Sequence, residues 1–467
     1  MNDRIPLATA DETRQAEGSY QGSLDELMER AGTAVADLVA ERYPGRVAVV
    51  CGKGLNGGDG RVCARVLRER GREVDVVEFG DLGEPDVVVD ALLGIGLKDA
   101  PREDVARMIE RINGSGKPVV AIDVPSGVNA STGEVAGAAI RAHTTVTFGE
   151  AKVGLAVAPG RFHAGSVRVV DIGLGAAEHE HALLTPAVLE RVPGKTERST
   201  KYRAGSVLVV GGSRGLTGAP VLAALGALRA DAGYVTLAVP ESALAAVEAH
   251  LLEAVKRPLP EDPAGRLLPR TAEAILEAAE RADAVVVGPG LGRSDGTRDL
   301  VLALLERLPV PVVLDADALW ELEPFARNGA TVMTPHSGEL ARLMGTEAAE
   351  VDAHRLESVT WAARRFAATV LLKGPDTLVG SPRAGVLVAP YGAPSLATAG
   401  TGDVLAGVIG AFLAKGLEPA LAAGAGAVAH GVASRLVSPQ AGLVAGDLLS
   451  GIQRALEGEG RDLAAFP

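Results

Sequence analysis

The sequence predicts an α/β protein with mainly parallel sheets, arranged as two successive domains. Runs rich in valine and isoleucine alternate with helical stretches rich in alanine, leucine, arginine and glutamate along nearly the whole chain. The length of 467 residues exceeds what one hydrophobic core usually covers. A polar segment at residues 175–203 interrupts the alternation, and we interpret it as the linker. We therefore expect domains of residues 1–182 and 183–467.

Each half contains six predicted strands. In the first half they are Arg46–Cys51, Glu73–Phe79, Asp86–Leu92, Pro118–Val124, Thr144–Phe148 and Ser166–Ile172. In the second half they are Ser206–Val210, Tyr234–Val239, Ala284–Val287, Pro311–Leu314, Thr331–Met333 and Thr369–Leu372. Open α/β sheets bind ligands beyond the carboxyl ends of their strands. The residues that directly follow these strands are therefore the candidates for functional sites.

Composition excludes several classes of partner. The formal net charge of −13 argues against a surface for nucleic acid or anionic lipid. The two cysteines, Cys51 and Cys63, lie in apolar contexts and form no disulfide pattern, which fits a reducing compartment. No apolar run is long enough to span a bilayer, and the N-terminus lacks an apolar signal core. We expect a cytoplasmic protein with small-molecule partners.

A glycine-rich loop follows the first strand of the first domain. Gly52, Gly54 and Gly57 match the dinucleotide-binding pattern, and Asp75 or Glu78 stands where a ribose acceptor is expected. The pattern alone is compatible with a dehydrogenase. Two polar residues of the loop, Asn56 and Asp59, are not needed by such an enzyme, although turn formation and helix capping would also explain them.

Further polar residues lie at or just after the ends of other strands of the first domain. Asn56, Asp90 and Ser126 offer only oxygen ligands, which suit a hard cation and not zinc. An aspartate in an apolar parallel strand is costly unless it is paired or bound to a cation, whereas a lone one would be read as a helix cap. Asp123 also follows a strand, and Lys152 follows another, so the two are candidates for an acid–base pair. A surface lysine is the alternative for Lys152.

The first half resembles the NAD(P)H-hydrate epimerase (YjeF N-terminal) family, on the sequence of Gly52–Gly60, AspAlaLeuLeuGlyIleGly, AspValProSerGly and PheGlyGluAlaLysValGly. The resemblance covers about the first 180 residues and implies that Asn56, Asp90 and Ser126 hold potassium. It implies that the hydrated nicotinamide nucleotide is bound by Leu55, Asn56, Gly57, Gly58, Asp59, Gly94, Ile95, Gly96, Leu97, Lys98, Asp99, Ala100 and Asp123. Leu55 replaces the asparagine usual in the family. Lys98 competes with Lys152 for the role of catalytic cation.

The most informative loop of the second half runs from Thr398 to Asp403 into an apolar helix. Small residues let the backbone approach a ligand, and the free amides and dipole of the helix N-terminus favour a phosphate. Asp403 is placed to take a proton from an attacking hydroxyl, although it would serve equally as an ordinary N-cap. His336, next to a strand end, is a second candidate.

The second half resembles the ribokinase-like fold and, within it, the ADP/ATP-dependent NAD(P)H-hydrate dehydratase (YjeF C-terminal) family. The resemblance rests on GlyGlySer, GlyProGlyLeuGly, ThrProHisSerGlyGlu, LysGlyProAspThr and AlaGlyThrGlyAspVal, in that order. It implies that Gly290, His336 and Asp403 face the hydrated nucleotide. It implies that the nucleotide is bound by Lys373, Gly374, Pro375, Asp376, Thr377 and the segment 393–402, which includes Thr398, Ala399, Gly400, Thr401 and Gly402. For the first domain, the resemblance to the epimerase family implies a Rossmann-like three-layer fold.

The two resemblances together imply a bifunctional repair enzyme. One half would interconvert the R and S hydrates NADHX and NADPHX, with Asp123 and Lys152 as the acid–base pair, and the other would dehydrate the S form with ADP or ATP and Asp403 as base. We expect K⁺ in the first domain, Mg²⁺ with the nucleotide in the second, and a homo-oligomer. The alternatives are a ribokinase-like small-molecule kinase, a dehydrogenase and a non-catalytic binding protein.

Overall fold

The computed structural model describes residues 2–175 and 179–466 and divides them into two compact units. The N-terminal unit comprises Pro6–Ala182 with Asp352–Leu356 and Phe466. The C-terminal unit comprises Leu183–Val351 and Glu357–Ala465 with the first residues through Ile5. Residues 176–178 of the predicted linker lie outside the described residues.

Helices and strands alternate along most of both units. The helices are α1 Ala10–Ser19, α2 Leu24–Arg42, α3 Leu55–Glu69, α4 Glu103–Gly114, α5 Val153–Ala156, α6 Arg161–Ala164, α7 Gly218–Arg229, α8 Leu244–His250, α9 Ala272–Ala279, α10 Asp295–Arg307, α11 Ser337–Met344, α12 Ala348–Ala353, α13 Arg355–Phe366, α14 Thr401–Ala414, α15 Pro419–Leu436 and α16 Leu448–Leu456. The strands are β1 Arg4–Ala8, β2 Val47–Cys51, β3 Val74–Val77, β4 Val87–Ala91, β5 Val119–Ile122, β6 Thr144–Phe148, β7 Ala151–Lys152, β8 Ser166–Val170, β9 His181–Leu184, β10 Ser206–Val210, β11 Tyr234–Pro240, β12 Val255–Leu259, β13 Ala284–Val287, β14 Val312–Leu314, β15 Thr331–Met333, β16 Thr369–Leu372, β17 Thr377–Ser381 and β18 Ala384–Ala389.

The N-terminal unit is built on a six-stranded parallel sheet in the order β3-β2-β4-β5-β6-β8. Every residue of β2, β4, β5 and β6 is buried, because helices cover both faces and the Val-rich strands pack on each side. In the register of the sheet Val50 pairs with Asp90, and Asp90 pairs with Ala121. The loops that follow β2, β4 and β5 therefore leave the sheet side by side.

The C-terminal unit contains nine strands in the order β12-β11-β10-β13-β14-β15-β16-β17-β18. The strands from β12 to β16 are parallel, and β17 and β18 form an antiparallel hairpin at the end of this series. Helix α14 is buried from Val404 to Leu413 and packs closely on α7, since a Cβ at Gly407 would lie 1.9 Å from the carbonyl oxygen of Ala223. This packing fixes the loop that precedes α14.

The twelve strands predicted from the sequence are all present, with ends shifted by at most two residues. The structure adds β1, β7, β9, β12, β17 and β18, which the sequence reading did not include. Strand β9 and a 3₁₀ helix, Pro186–Arg191, lie inside the predicted linker, because short elements of mixed polarity carry little periodic signal. None of the described helices combines the length and the apolar character needed to cross a bilayer.

Candidate active sites

A cleft of about 850 Å³ opens at the carboxyl ends of β2, β4 and β5 in the N-terminal unit. Of the predicted substrate-binding residues, those that line it are Leu55, Asn56, Asp59, Gly94, Ile95, Gly96, Leu97, Lys98, Asp99, Ala100 and Asp123. Gly57 and Gly58 are not among the lining residues. A Cβ at Gly57 would lie 2.0 Å from the carbonyl oxygen of Gly52, so Gly57 allows α3 to pack on the preceding turn.

Asp123 and Lys152 meet at the wall of this cleft. Lys152 Nζ lies 2.8 Å from Asp123 Oδ1 and also donates to Thr147 Oγ1 and to the carbonyl oxygens of Phe148 and Glu150. The lysine side chain is 1% exposed, so its charge depends on these acceptors. Thr147 Oγ1 donates to the same carboxylate oxygen at 2.9 Å. The structure therefore places Lys152, and not the exposed Lys98, against Asp123.

The backbone of Asp123 is strained. Its φ is +63°, in the left-handed region that residues with a side chain seldom occupy. The amide of Asp123 donates to Val146 O at 2.7 Å, which turns the chain sharply at the end of β5. Strained residues of this kind cluster at functional sites, where the surrounding structure holds them in place. The turn directs the carboxylate towards the cleft and Lys152.

Two more carboxylates border the same space. Burial raises the pKa of Asp59 to about 8, and the charges of Asp123 and Glu17 act in the same direction. Glu17, on α1, was not predicted from the sequence. The capping box of α1, in which Thr9 accepts from the amide of Glu12, was the available sign of a helix in this region. A helix signal alone does not show which face meets a cleft.

Asn56, Asp90 and Ser126 lie together below the cleft. Asp90 is fully buried and accepts from Ser126 Oγ at 2.7 Å, from Ser126 N at 2.9 Å and from Leu92 N at 3.2 Å. Ser126 Oγ accepts from Leu93 N, and Asn56 Nδ2 donates to Leu93 O at 2.7 Å. The backbone of Leu93 therefore links Asn56 to Ser126, which in turn contacts Asp90. Burial raises the pKa of Asp90 to about 6.

The proposed ribose acceptors of a dehydrogenase are engaged elsewhere. Asp75 lies 2.7 Å from Arg46 Nη2, and Glu78 lies 3.0 Å from Arg61 Nη2. An acceptor for ribose hydroxyls needs a carboxylate that is free to accept hydrogen bonds from the ligand. These ion pairs weigh against the dehydrogenase interpretation of the glycine loop.

The second candidate site lies where β14, β15 and β16 end in the C-terminal unit. Lys373 Nζ lies 2.9 Å from Asp315 Oδ1 and 3.8 Å from Glu339 Oε2. Thr334 Oγ1 donates to the same Asp315 oxygen at 2.7 Å. The charges of Asp315, Glu339 and Asp403 raise the pKa of Lys373 even though burial opposes them. Several carboxylates thus surround one ammonium group. The sequence reading assigned no role to Asp315 or Glu339.

The loop before α14 leaves two backbone amides without an acceptor among the described residues. Gly400 occupies the N-cap position with φ +90°, so Asp403 is the third residue of the helix and not its cap. Thr401 Oγ1 donates to the carbonyl oxygens of Leu396 and Thr398, and the Thr401 amide points to Thr398 O at 3.4 Å. In the described chain the amides of Gly402 and Asp403 have no acceptor, so these two are available to an anion.

The pKa of the Asp403 carboxyl group lies near neutral pH. Burial raises the pKa of Asp403 to about 7, with Asp315, Asp317 and Glu339 acting in the same direction and Lys373 against them. A general base is most effective when its pKa lies near the working pH. The carboxylate therefore has both the position and the acidity of a base beside these two free amides.

The remaining predicted residues of the second site differ in burial and in their hydrogen-bond partners. His336 is the N-cap of α11: its Nδ1 accepts from the amides of Gly338 and Glu339, and its side chain is 54% exposed. Gly290 O accepts from Ser213 Oγ at 2.9 Å. Asp376 is fully buried behind the LysGlyProAspThr turn, and Thr377 Oγ1 donates to Gly374 O at 3.2 Å. Thr398 Oγ1 donates to Ser395 O, within the turn.

Family models match both halves of the chain. The model described as NAD(P)H-hydrate dehydratase matches residues 207–455, and the model described as YjeF-related protein N-terminus matches residues 24–84 and 78–154. The bifunctional NAD(P)H-hydrate repair enzyme Nnr of Moorella thermoacetica is 40% identical over 492 residues, covering 93% of each chain. The chain belongs to the bifunctional NAD(P)H-hydrate repair enzyme family.

Another member of this repair enzyme family and one solved structure agree with the assignment, and a second solved structure shows the fold alone. The Escherichia coli enzyme is 33% identical over 481 residues, covering 94% of this chain and 91% of its own. An ADP/ATP-dependent NAD(P)H-hydrate dehydratase from Bacillus subtilis, co-crystallised with ATP and Mg²⁺, is 27% identical with a TM-score of 0.51, covering 58% of this chain and 95% of that one. A ribokinase-like protein from Enterococcus faecalis has a TM-score of 0.52 at 21% identity, over 61% and 98% of the chains. The predicted family and the predicted ribokinase-like fold are confirmed.

Proposed function

We propose that the chain repairs hydrated nicotinamide nucleotides in two steps. Residues 1–182 interconvert the R and S forms of NADHX and NADPHX at C6, and residues 183–467 dehydrate the S form at the expense of ADP or ATP. The observation that carries the proposal is the partly buried Asp403 beside the free amides of Gly402 and Asp403, in a chain matched almost end to end by bifunctional repair enzymes. The Asp123–Lys152 pair supports the epimerase half.

The dehydration needs a better leaving group than hydroxide. Asp403 takes the proton of the C6 hydroxyl, and the hydroxyl oxygen attacks the terminal phosphorus of the nucleotide. The bond from that phosphorus to the bridging oxygen breaks, so that ADP leaves from ATP or AMP leaves from ADP. The amides of Gly402 and Asp403 hold the charge that develops on the transferring phosphoryl group. The ring nitrogen lone pair then expels phosphate from C6. Loss of a proton from the neighbouring ring carbon restores the dihydropyridine ring of NADH or NADPH. Lys373, among the acidic side chains at the strand ends, is suited to contact the nucleotide phosphates.

We expect Mg²⁺ to bind together with the nucleotide. The carboxylates of Asp315, Glu339 and Asp403 outnumber the single ammonium of Lys373, so the site tolerates a divalent cation next to phosphates. Mg²⁺ in such sites takes most of its ligands from phosphate oxygens and water. Its chemical contribution would be to neutralise charge on the transferring group.

Potassium suits the oxygen set formed by Asn56, Asp90 and Ser126. Among the described residues no lysine or arginine pairs with the fully buried Asp90 carboxylate, and Asn56 Oδ1 remains free when Nδ2 donates to Leu93. A buried carboxylate that lacks a cationic partner is costly. A bound K⁺ would offset that charge and hold the Leu93–Gly94 loop at the edge of the cleft.

We expect a potassium response that depends on Asp90. Raising KCl at constant ionic strength, with choline chloride as the balancing salt, should increase the thermal midpoint and the rate of R-to-S exchange. Asp90→Asn should abolish both responses, because the amide lacks the negative charge that a bound cation would offset. A potassium titration that is unchanged in this variant would contradict the site.

We expect the dehydratase rate to follow the ionisation of Asp403. Because the carboxylate must be deprotonated to act as a base, kcat/KM for the S-hydrate should rise with pH through about 7 and then level off. Glu339→Gln should move this rise to lower pH, since the charge of Glu339 raises the pKa of Asp403. A profile that is flat from pH 5.5 to 8.5 would show that Asp403 is not the titrating base.

The function is tested by incubating the protein with mixed hydrate epimers, with and without ADP or ATP. Absorbance of reduced nicotinamide should return only with nucleotide. A ribokinase-like small-molecule kinase is the alternative, and it would instead accumulate a stable phosphorylated product. A homo-oligomer remains a prediction, which light scattering on the purified protein would test.

A further inference from the structure

Helix α1 brings a carboxylate into the N-terminal site. Glu17 borders both the 850 Å³ cleft and an adjoining cavity of about 70 Å³, and Asp59 and Asp123 border both as well. The helix is held in place by its capping box and by the Ala10 amide, which donates to Ser131 Oγ at 2.9 Å. Glu17 is therefore fixed at the junction of the two spaces.

The carboxylate of Glu17, like that of Asp59, has no hydrogen-bond or ion-pair partner among the described residues, in contrast to two other acidic neighbours. Glu12 on the same helix accepts from Thr9, and Asp123 is paired with Lys152. Within the described residues no side chain forms a hydrogen bond or ion pair with the Glu17 carboxylate, and Arg14 pairs with Asp11. Partial burial and nearby carboxylates favour the protonated form more than water does.

The charged groups around Glu17 also affect its pKa. Burial and the charge of Asp123 raise the pKa of Glu17, while Lys152 and Arg14 oppose the change. The groups that face this region are Arg14 on α1, Asp59 on α3, Asp123 after β5 and Lys152 in β7, with Lys53, Lys98, Asp99, Arg102 and Asp104 across the larger cleft. Two carboxyl groups whose environments differ in this way are suited to opposite roles as acid and base.

We propose that Glu17 is the proton donor of the epimerisation and that Asp123, paired with Lys152, is its proton acceptor. The inference rests on the proposed epimerase function and assigns its second group. Glu17 gives its proton to the C6 hydroxyl, the C6–O bond breaks with its electron pair on oxygen, and water leaves as the ring nitrogen lone pair forms the N=C6 bond. Water then adds to the other face of C6, its proton passes to Asp123, and the N=C6 electron pair returns to nitrogen. Transfer of that proton from Asp123 to Glu17 restores the starting state.

The test compares Glu17→Gln, Glu17→Asp and Glu17→Ala with the wild type in R-to-S exchange. Glu17→Gln should lower kcat by about 10²–10⁴-fold, with little change in KM, because it keeps the shape and removes the acid. The matched control is Glu110→Gln, which changes an exposed glutamate on α4. Glu17→Asp keeps a carboxyl group on a shorter side chain and should retain more of the rate than Glu17→Ala, which has no acid at this position.

The outcomes separate this inference from the function on which it rests. Exchange by the wild type with full activity of Glu17→Gln would overturn the role of Glu17 and leave the epimerase intact. A higher KM at unchanged kcat, or equal kcat values for Glu17→Asp and Glu17→Ala, would show a binding or structural role and overturn it as well. A wild type that exchanges no faster than the blank, while still dehydrating the S-hydrate, would instead reject the epimerase function.

Discussion

Replacing Asp403 by asparagine is expected to abolish nucleotide-dependent recovery of NADH or NADPH while epimer exchange continues at the normal rate. The change removes the base and keeps the shape of the side chain, and loss of a positioned base costs about 10²–10⁴-fold in rate. The activity is measured on pure S-hydrate with saturating ADP or ATP, and the exchange on R-hydrate without nucleotide.

The thermal midpoint distinguishes a chemical from a structural role for Asp403. Burial disfavours its charged form, so asparagine should leave the fold as stable as the wild type or more stable at pH 8. Asp299→Asn, on the exposed face of α10, is the matched control and should retain both activities. Retention of most of the dehydratase rate by Asp403→Asn would show that the base lies elsewhere.

Replacing Asp123 by asparagine is expected to slow R-to-S exchange by orders of magnitude while the S-hydrate is still dehydrated at the normal rate. Asparagine tolerates the left-handed backbone at this position, so the turn after β5 should persist. The two rates are measured on one preparation, which removes differences in concentration. Equal loss of both activities would mean that the halves are coupled or that Asp123 serves the fold.

A second variant tests the role of the ion pair between Asp123 and Lys152. Asp123→Asn leaves a buried ammonium, and breaking a buried pair costs about 3–5 kcal/mol of unfolding free energy. The double variant Asp123→Asn with Lys152→Gln should recover part of that stability, because no uncompensated charge remains, but none of the exchange rate. Recovery of exchange together with stability would show that the pair is structural.

The first site shows which parts of a sequence reading can succeed. The alternation of valine-rich runs located β2, β4 and β5, and the rule that ligands bind at carboxyl strand ends then selected Asn56, Asp90 and Asp123. The structure brings these residues to one edge of the sheet. Glu17 was missed because it lies on a helix, and the placement of that helix over the cleft depends on tertiary contacts such as the one to Ser131.

The second site shows where local patterns allow more than one interpretation. His336 reads as a ligand-facing residue, but the spacing from His336 to Glu339 is also that of a capping box, and the structure forms that cap. Asp376 lies in a loop of the type that binds nucleotides and yet is fully buried. Asp315 follows β14, whereas Glu339 lies on α11 and Asp403 on α14. The first two act on Asp403 through space, and no short motif records such a relation.

Conversion of the purified R-hydrate tests the central claim most directly, because it needs both halves of the chain in sequence. With ADP or ATP, the protein should return the full absorbance of NADH or NADPH from the R epimer, faster than a blank without protein. Without nucleotide, the same sample should yield a mixture of R and S hydrates and no reduced nicotinamide. An R-hydrate that stays unconverted in the presence of nucleotide, while the S-hydrate is consumed, would contradict the bifunctional account.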